Sequence, residues 1–393
     1  MILNISKGAI PQHIKLPPSK SYANRALILG AQKKTKTIFK NLPQASDVTN
    51  LVEALKAAGL LIELQGETLT FQNSFPSCEI ANAEVCEIEV GEGGTTARFL
   101  ACLLLRGANP YILKLGERLK DRPWNEFLEF AEAHGANCRL EDDKLFLQGP
   151  LRLGPSVEVD CSRTTQFATG LALCFKNSKI IPTKLHTSQS YWEMTLKLIE
   201  DFDEQEEYIT PIDWSSAGYS LAFAALNQET FFPHLKSDIY QADSKFYDLL
   251  KSLGMLTQSR QGVLITPKKV SKNITLDVSD CLDLVPTLVY FLSYIPGEHQ
   301  LIGVENLVHK ESDRLFESIR IMKAFDISSV VTGNTLKIRG SENRFSQRVD
   351  LTLPDDHRMV MSAALFMRHN AGGSISPWQA VNKSYPDFFN LFD

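Results

Sequence analysis

The sequence predicts an α/β protein assembled from six copies of one unit, three in each of two domains. Three observations carry this. Apolar helical segments recur about every 70 residues, a more amphipathic helical segment follows each of them, and short alternating stretches fill the remaining space. The chain has 393 residues, beyond the size at which one hydrophobic core keeps growing, so two domains of roughly 200 residues are the natural partition.

The first set of segments is SKSYANRALILGA from Ser19, GGTTARFLACLL from Gly93, TTQFATGLALC from Thr164, SSAGYSLAFAAL from Ser215, LDLVPTLVYFL from Leu282 and DHRMVMSAALFM from Asp356. Apolar residues around most of the circumference mark buried helices. The amphipathic partners are SDVTNLVEALKAAG, KDRPWNEFLEFAEAHG, YWEMTLKLIEDF, DSKFYDLLKSLGM, SDRLFESIRIMKAF and SYPDFFNLFD. Stretches such as LIELQGETLTFQ and KLFLQGP alternate as strands and hairpins do. The interval between the third and fourth copies is shorter, nearer about 50 residues. It contains the acidic loop DFDEQEEYITPIDW and marks a domain junction. Two similar domains imply a cleft between them, where ligands commonly bind.

Composition narrows the class. Hydrophobic residues make up 44% and charged residues 22%, without a low-complexity tract, as in a folded protein. The N-terminal stretch lacks an apolar core, and the longest apolar run, Phe99 to Leu105, is far short of a bilayer span, so a cytoplasmic enzyme is expected. The seven cysteines include no C-x-x-C pair and the eight histidines no H-E-x-x-H spacing, so neither a disulfide framework nor a metal is expected. A net charge of −5 argues against nonspecific nucleic-acid binding. It leaves room for a small anionic ligand held by locally concentrated cations. With no extended apolar face or coiled-coil repeat, a monomer is expected.

Buried helices that begin with Ser, Thr or Gly present unpaired N–H groups and the positive end of the helix dipole. Such residues are also ordinary N-caps. What adds weight is the company near these starts: Lys20 and Arg25, Arg98, Arg122, Lys310 and Arg314, Arg358, and Lys383. A lone Lys or Arg is usually a solvated surface charge. A set recurring at equivalent places in a repeat suits ligands rich in phosphate and carboxylate, which guanidinium forks match bidentately. Asp283 and Glu311 sit inside this basic set. They either balance its charge or serve as acid and base.

At these segments the sequence resembles the 5-enolpyruvylshikimate-3-phosphate synthase family, from Lys15 to Phe389 in unbroken order. The family's K-S-x-S-N-R appears as KSYANR at Lys20 to Arg25, and G-N-A-G-T-x-x-R as GEGGTTAR at Gly91 to Arg98. Its R-P is Arg122-Pro123, its S-S-Q-F is TTQF at Thr164 to Phe167, and its S-x-x-Y is SQSY at Ser188 to Tyr191. The central acid falls on Asp283, N-x-x-x-K-E-T-D-R on NLVHKESDR from Asn306, D-H-R-M on Asp356 to Met359, and K-T-F-P-D on KSYPD from Lys383. One such motif is weak evidence; nine in order are specific.

The resemblance implies a two-domain inside-out α/β barrel of six βαβαββ units with the active site in the interdomain cleft. The chain would leave a discontinuous domain, residues 1–18 plus 212–393, for an inserted domain, 19–211, crossing near Pro18 and returning near Pro211. The implied reaction adds the 5-hydroxyl of shikimate 3-phosphate to phosphoenolpyruvate and eliminates phosphate from a tetrahedral intermediate, a step toward aromatic amino acids. It requires no metal or organic cofactor.

Carried over residue by residue, Arg25, Thr164, Thr165 and Ser188 would hold the shikimate phosphate. Ser21, Gln166, Tyr191, Asn306 and Lys310 would fix its ring and carboxylate. Phosphoenolpyruvate would fall to Lys20, Gly94, Thr95, Arg122, Gln166, Arg314, His357, Arg358 and Lys383. Asp283 would take or orient the hydroxyl proton, and Glu311, with Lys20, would protonate the methylene carbon and take that proton back. Gly94 is the small residue associated in this family with sensitivity to glyphosate, so inhibition competitive with phosphoenolpyruvate is expected.

Several positions depart from the family pattern. Glu92 replaces Asn, and its effect depends on which cation, Arg98 or another, pairs with it. Thr164-Thr165 replaces Ser-Ser, and Leu282 and Phe99 stand where Pro is common. A sister activity, enolpyruvyl transfer to a UDP-sugar, typically uses a cysteine-bearing loop, whereas RGANPYILKLGERLKDRP has no Cys. A noncatalytic anion-binding protein of the same fold would have no need of Asp283 and Glu311 together.

Overall fold

The chain divides into two units, Met1–Pro17 with Ile212–Asp393, and Pro18–Pro211, in a computed structural model that describes residues 2–76, 85–185 and 188–392. Each unit is built around three of the apolar helices. In the inserted unit these are Lys20–Gly30, Gly94–Leu104 and Gln166–Cys174, which pack pairwise on one another. In the other unit Trp214–Asn227, Val285–Ser293 and His357–His369 do the same. The burial follows from sequence: all thirteen residues of His357–His369 are buried, as are ten of the eleven in Gly94–Leu104. Close approach is part of this packing. A Cβ on Gly170 would lie 2.7 Å from the Cys102 sulfur, so Gly170 lets Gln166–Cys174 lie tightly against Gly94–Leu104.

The repeated unit is plainest in the second copy. Cys86–Gly91 runs parallel to Pro110–Leu115, which pairs antiparallel with Lys144–Gln148, itself antiparallel to Asn137–Glu141. Thr275–Asp277, Gly297–Ile302, Thr335–Gly340 and Ser328–Thr332 repeat that order. Other copies complete their sheets with distant strands. Glu207–Ile209, at the end of the inserted unit, supplies the first strand beside Ile38–Lys40. His13 bridges to Phe231, and Leu3–Ile5 pairs with Gly373–Ser376. Among the described residues the sheet of the third copy holds Ser156–Asp160 and Lys179–Thr183. The result is a two-domain α/β architecture of repeated βαβαββ-like units with open sheets.

Two helices expected from sequence start or form differently. Residues Leu282–Leu284 make a 3₁₀ turn before the α-helix Val285–Ser293, because Pro286 has no N–H to donate and fits only in the first turn. The last amphipathic segment forms the 3₁₀ turn Phe388–Phe392 instead of an α-helix, since Pro386 prevents an earlier start. No helix among the described residues is long and apolar enough to cross a membrane, and the six described cysteines are free thiols.

Candidate functional site

In the discontinuous unit, one carboxylate is the hub of the basic set. Asp283, on the turn before Val285–Ser293, accepts from Arg314 Nη1 at 2.7 Å and Arg358 Nη2 at 3.0 Å, with Lys310 Nζ at 3.4 Å. Burial by itself would raise its pKa, but Arg358, Lys310 and Arg314 together hold it well below the usual carboxylate range. Asp283 is therefore an ionised acceptor at neutral pH.

Behind it, Arg314 grips Asp356 with Nε at 2.8 Å and Nη2 at 3.2 Å. Asp356 is also the N-cap of His357–His369, accepting from the Arg358 N–H at 3.0 Å, and it accepts from Ser312 Oγ at 3.0 Å. The DHR motif thus places an acid at the helix cap, where the dipole favours it, and a base two residues on in the first turn. Glu311 lies 3.3 Å from His357 Nδ1 and 3.7 Å from Lys383 Nζ. Lys383 also donates to the Asp355 carboxylate and carbonyl, each at 3.0 Å. Seven of the expected residues, Asp283, Lys310, Glu311, Arg314, His357, Arg358 and Lys383, are thus linked by Asp355 and Asp356. Asn306 lies half-buried on the nearby turn Glu305–His309.

In the inserted unit, a second cluster forms around the start of Gly94–Leu104. Arg98 donates to Gln166 Oε1 and to the Pro123 carbonyl, and packs over the Trp124 and Phe167 rings. Burial, then the charge of Arg122, lower its pKa to about 9. Gln166 Nε2 donates to Thr95 Oγ1 at 3.1 Å, and Thr164 Oγ1 accepts from the Gln166 N–H at 3.3 Å. A Cβ on Gly94 would lie 2.7 Å from Arg122 Nη1, so the guanidinium rests directly on the glycine. Neither Gly93 nor Thr165 caps its helix with a side chain, and at the second helix Thr164 Oγ1 meets the Gln166 N–H instead.

Lys20 pairs with Asp47 at 2.9 Å. Arg25 is buried beneath Ser21 and Tyr191, donating to Thr195 Oγ1 at 2.8 Å, the Ser21 carbonyl at 2.8 Å and the Tyr191 carbonyl at 3.3 Å. Burial lowers its pKa to about 10. Ser188 holds a left-handed backbone, φ 63°, at the start of Gln189–Phe202, and its side chain caps nothing there. A non-glycine residue in that region is uncommon and turns the hydroxyl away from an ordinary cap geometry. The Glu92 carboxylate accepts from the Arg118 N–H at 3.2 Å and lies over Gly116, where a Cβ would fall 2.4 Å from it.

The acids that hold these bases, Asp47, Asp355 and Asp356, are not among the site residues expected from sequence. Asp356 opens the DHRM segment, Asp355 precedes it and Asp47 lies in SDVTNLVEALKAAG, so adjacency to the repeated helices is the signal that sequence carries for them. Glu311, Asp356 and His357 each place one potential metal-ligand atom within 4.8 Å of the others. The donor set does not suit a dication, because Asp356 is already bound by Arg314 and Glu311 is flanked by Lys383.

Solved structures share this fold. EPSP synthase from Acinetobacter baumannii superposes with a TM-score of 0.81 at 19% identity, covering 99% of this chain and 97% of that one. The enolpyruvyl transferase NikO from Streptomyces tendae gives 0.77 at 14% identity, covering 100% and 96%. These likenesses establish the fold class, a two-domain α/β architecture of repeated units.

The family model for EPSP synthase (3-phosphoshikimate 1-carboxyvinyltransferase) matches residues 6–205 and 203–392. Curated relatives of that name include those of Clostridioides difficile, 27% identical over 99% of this chain and 96% of its own length, and Buchnera aphidicola, 25% identical over 96% and 93%. The chain belongs to the EPSP synthase family.

Proposed function

We propose that this enzyme transfers the enolpyruvyl group of phosphoenolpyruvate to the 5-hydroxyl of shikimate 3-phosphate and releases phosphate. The observation that carries this reading is Asp283, an ionised carboxylate ringed by Arg314, Arg358 and Lys310, with a second acid, Glu311, beside His357 and Lys383. Two acids in different surroundings suit two proton tasks. Asp283, held ionised, orients the attacking hydroxyl and takes its proton as the oxygen bonds to C2 of phosphoenolpyruvate, and that proton passes to the departing phosphate. Glu311, in its protonated form, delivers a proton to the methylene carbon and recovers it as phosphate leaves.

Lys310, Asn306, Ser21, Tyr191 and Gln166 fix the shikimate ring and carboxylate, and Thr164, Thr165 and Ser188 take its phosphate. Arg25, buried under Ser21 and Tyr191, supports that set from below. Lys20, Arg122, Arg314, Arg358, His357 and Lys383, with the N–H groups at Gly94 and Thr95, take phosphoenolpyruvate. Arg314 and Arg358 are already buried and oriented by Asp283, so they stabilise developing phosphate charge with little reorganisation. The Gly94–Arg122 approach also supports glyphosate as an inhibitor competitive with phosphoenolpyruvate.

The test is phosphate release by the purified protein with both substrates and with each alone. Release only with both supports the reading. Binding of shikimate 3-phosphate without release would make the protein a noncatalytic relative, and release with a UDP-sugar instead would reassign the acceptor.

A further inference from the structure

The turn Ala242–Ser244 carries an acid that the proposed chemistry does not use. Asp243 is 1% exposed. Its Oδ2 accepts a hydrogen bond from Ser215 Oγ, while Oδ1 has no hydrogen-bond partner among the described residues. The turn is firmly held. Gln241 Oε1 accepts from the Trp214 N–H at 3.0 Å, and its Nε2 donates to the Ile212 carbonyl at 2.8 Å and to Asp238 Oδ2 at 2.9 Å. Ser244 Oγ donates to the Asp238 carbonyl at 2.6 Å. Ser215, in the first turn of Trp214–Asn227, is only half-buried, so its hydroxyl joins the buried carboxyl to a more open face.

The charged groups facing Asp243 come from three directions. Asp283 lies on the turn Leu282–Leu284, Arg358 on the helix His357–His369, and Asp213 at the cap of Trp214–Asn227, with the Cys281 thiol also in its field. Burial first, then the charge of Asp283, push the Asp243 carboxyl up to about 7, against Arg358 and the Ser215 hydrogen bond. The geometry gives the same direction independently: a buried carboxylate with one unpartnered oxygen and two acidic neighbours is costly to ionise.

We propose that Asp243, hydrogen-bonded to Ser215, is a positioning residue that carries a proton while anionic substrate is bound, keeping the ground behind Asp283 neutral so that Arg358 remains available to the substrate. This rests on the enolpyruvyl-transfer reading for its functional consequence. Ionisation of Asp243 places a second negative charge beside Asp283 and draws Arg358 away from the ligand. The KM for phosphoenolpyruvate therefore rises with pH through the neutral range.

The experiment compares full-length wild type, Asp243→Asn and Ser215→Ala. Carbon-13 NMR of aspartate carboxyls, without substrate, is expected to show one resonance titrating near neutrality that Asp243→Asn removes and Ser215→Ala moves to higher pH. In steady-state kinetics with shikimate 3-phosphate, the wild-type KM for phosphoenolpyruvate is expected to rise on the order of tenfold between about pH 6 and about pH 9, as one ionisation allows. Asp243→Asn flattens that rise, and Ser215→Ala displaces it to higher pH. An Asp243 resonance ionised throughout, or a KM profile unchanged in both variants, overturns the proposal. Should Asp243→Asn fail to fold, the Ser215→Ala shift decides alone. Wild type without turnover defeats the enolpyruvyl reading, whereas the carboxyl titration still decides whether Asp243 holds the proton.

Discussion

Arg314 binds Asp356 through two nitrogens, Nε at 2.8 Å and Nη2 at 3.2 Å, and extends its remaining nitrogen to Asp283 at 2.7 Å. One guanidinium thus ties a helix cap to the central acid of the basic set. Both Arg314 and Asp356 are buried, so neither has water as an alternative partner. Asp356→Ala leaves a buried guanidinium short of its main counter-charge and is expected to destabilise the protein by about 3–5 kcal/mol. Denaturant unfolding measures this, and a loss below about 1 kcal/mol would show that the pair is not integral to the fold.

The same pair sets an acid dependence. Burial alone would raise the Asp356 pKa, but Arg314 and His357 leave it below the ordinary value. The stability it contributes is fully present above the unfolded aspartate value of about 3.9 and is lost as pH falls through the folded value. The difference in thermal midpoint between wild type and Asp356→Asn should therefore be largest near about pH 6 and shrink toward about pH 3. A difference independent of pH would mean that the carboxylate charge is not what stabilises.

Asp283→Ala and Glu311→Ala should each lower turnover by on the order of a hundredfold or more while the protein stays folded, the scale of a lost general acid or base. The check is kcat by phosphate release alongside circular dichroism. Near-normal turnover in both folded variants would remove these residues from the chemistry.

Gly94→Ala places a methyl group where Arg122 Nη1 now lies, 2.7 Å away, and the guanidinium must withdraw. The KM for phosphoenolpyruvate should rise on the order of tenfold, equivalent to about 1.4 kcal/mol of binding, and glyphosate inhibition should weaken in parallel. An unchanged KM would mean that Arg122 does not meet phosphoenolpyruvate.

Glu92→Gln should be nearly silent. The carboxylate serves the loop at Gly116 and Arg118, and an amide oxygen can accept the same N–H bond. KM values for both substrates should stay within about twofold of wild type, as for a substitution away from bound ligand. A larger improvement in phosphoenolpyruvate binding would show that its charge reaches the ligand.

What the sequence by itself determined was the local grammar and the chemical inventory. Six apolar helices, the hairpin at Ile62–Gln65 and Thr68–Phe71, and the residue types at each helix start follow from periodicity and from neighbours a few positions apart. Pro286 and Pro386 show the limit of that legibility, since each proline restricts where a helix can begin, and the helical segments that contain them start later or form as a 3₁₀ turn. Tertiary structure alone decided which acid meets which base. Arg314 finds Asp283 and Asp356 across 31 and 42 positions of chain, and Lys20 finds Asp47 across 27. It also decided that Arg25 lies beneath Ser21 and Tyr191, and that Asp243 is sealed from water while Asp283 is ringed by cations. The reason is physical: periodicity is a property of adjacent residues, whereas ion pairing and protonation depend on distance through space and on the water excluded around each charge.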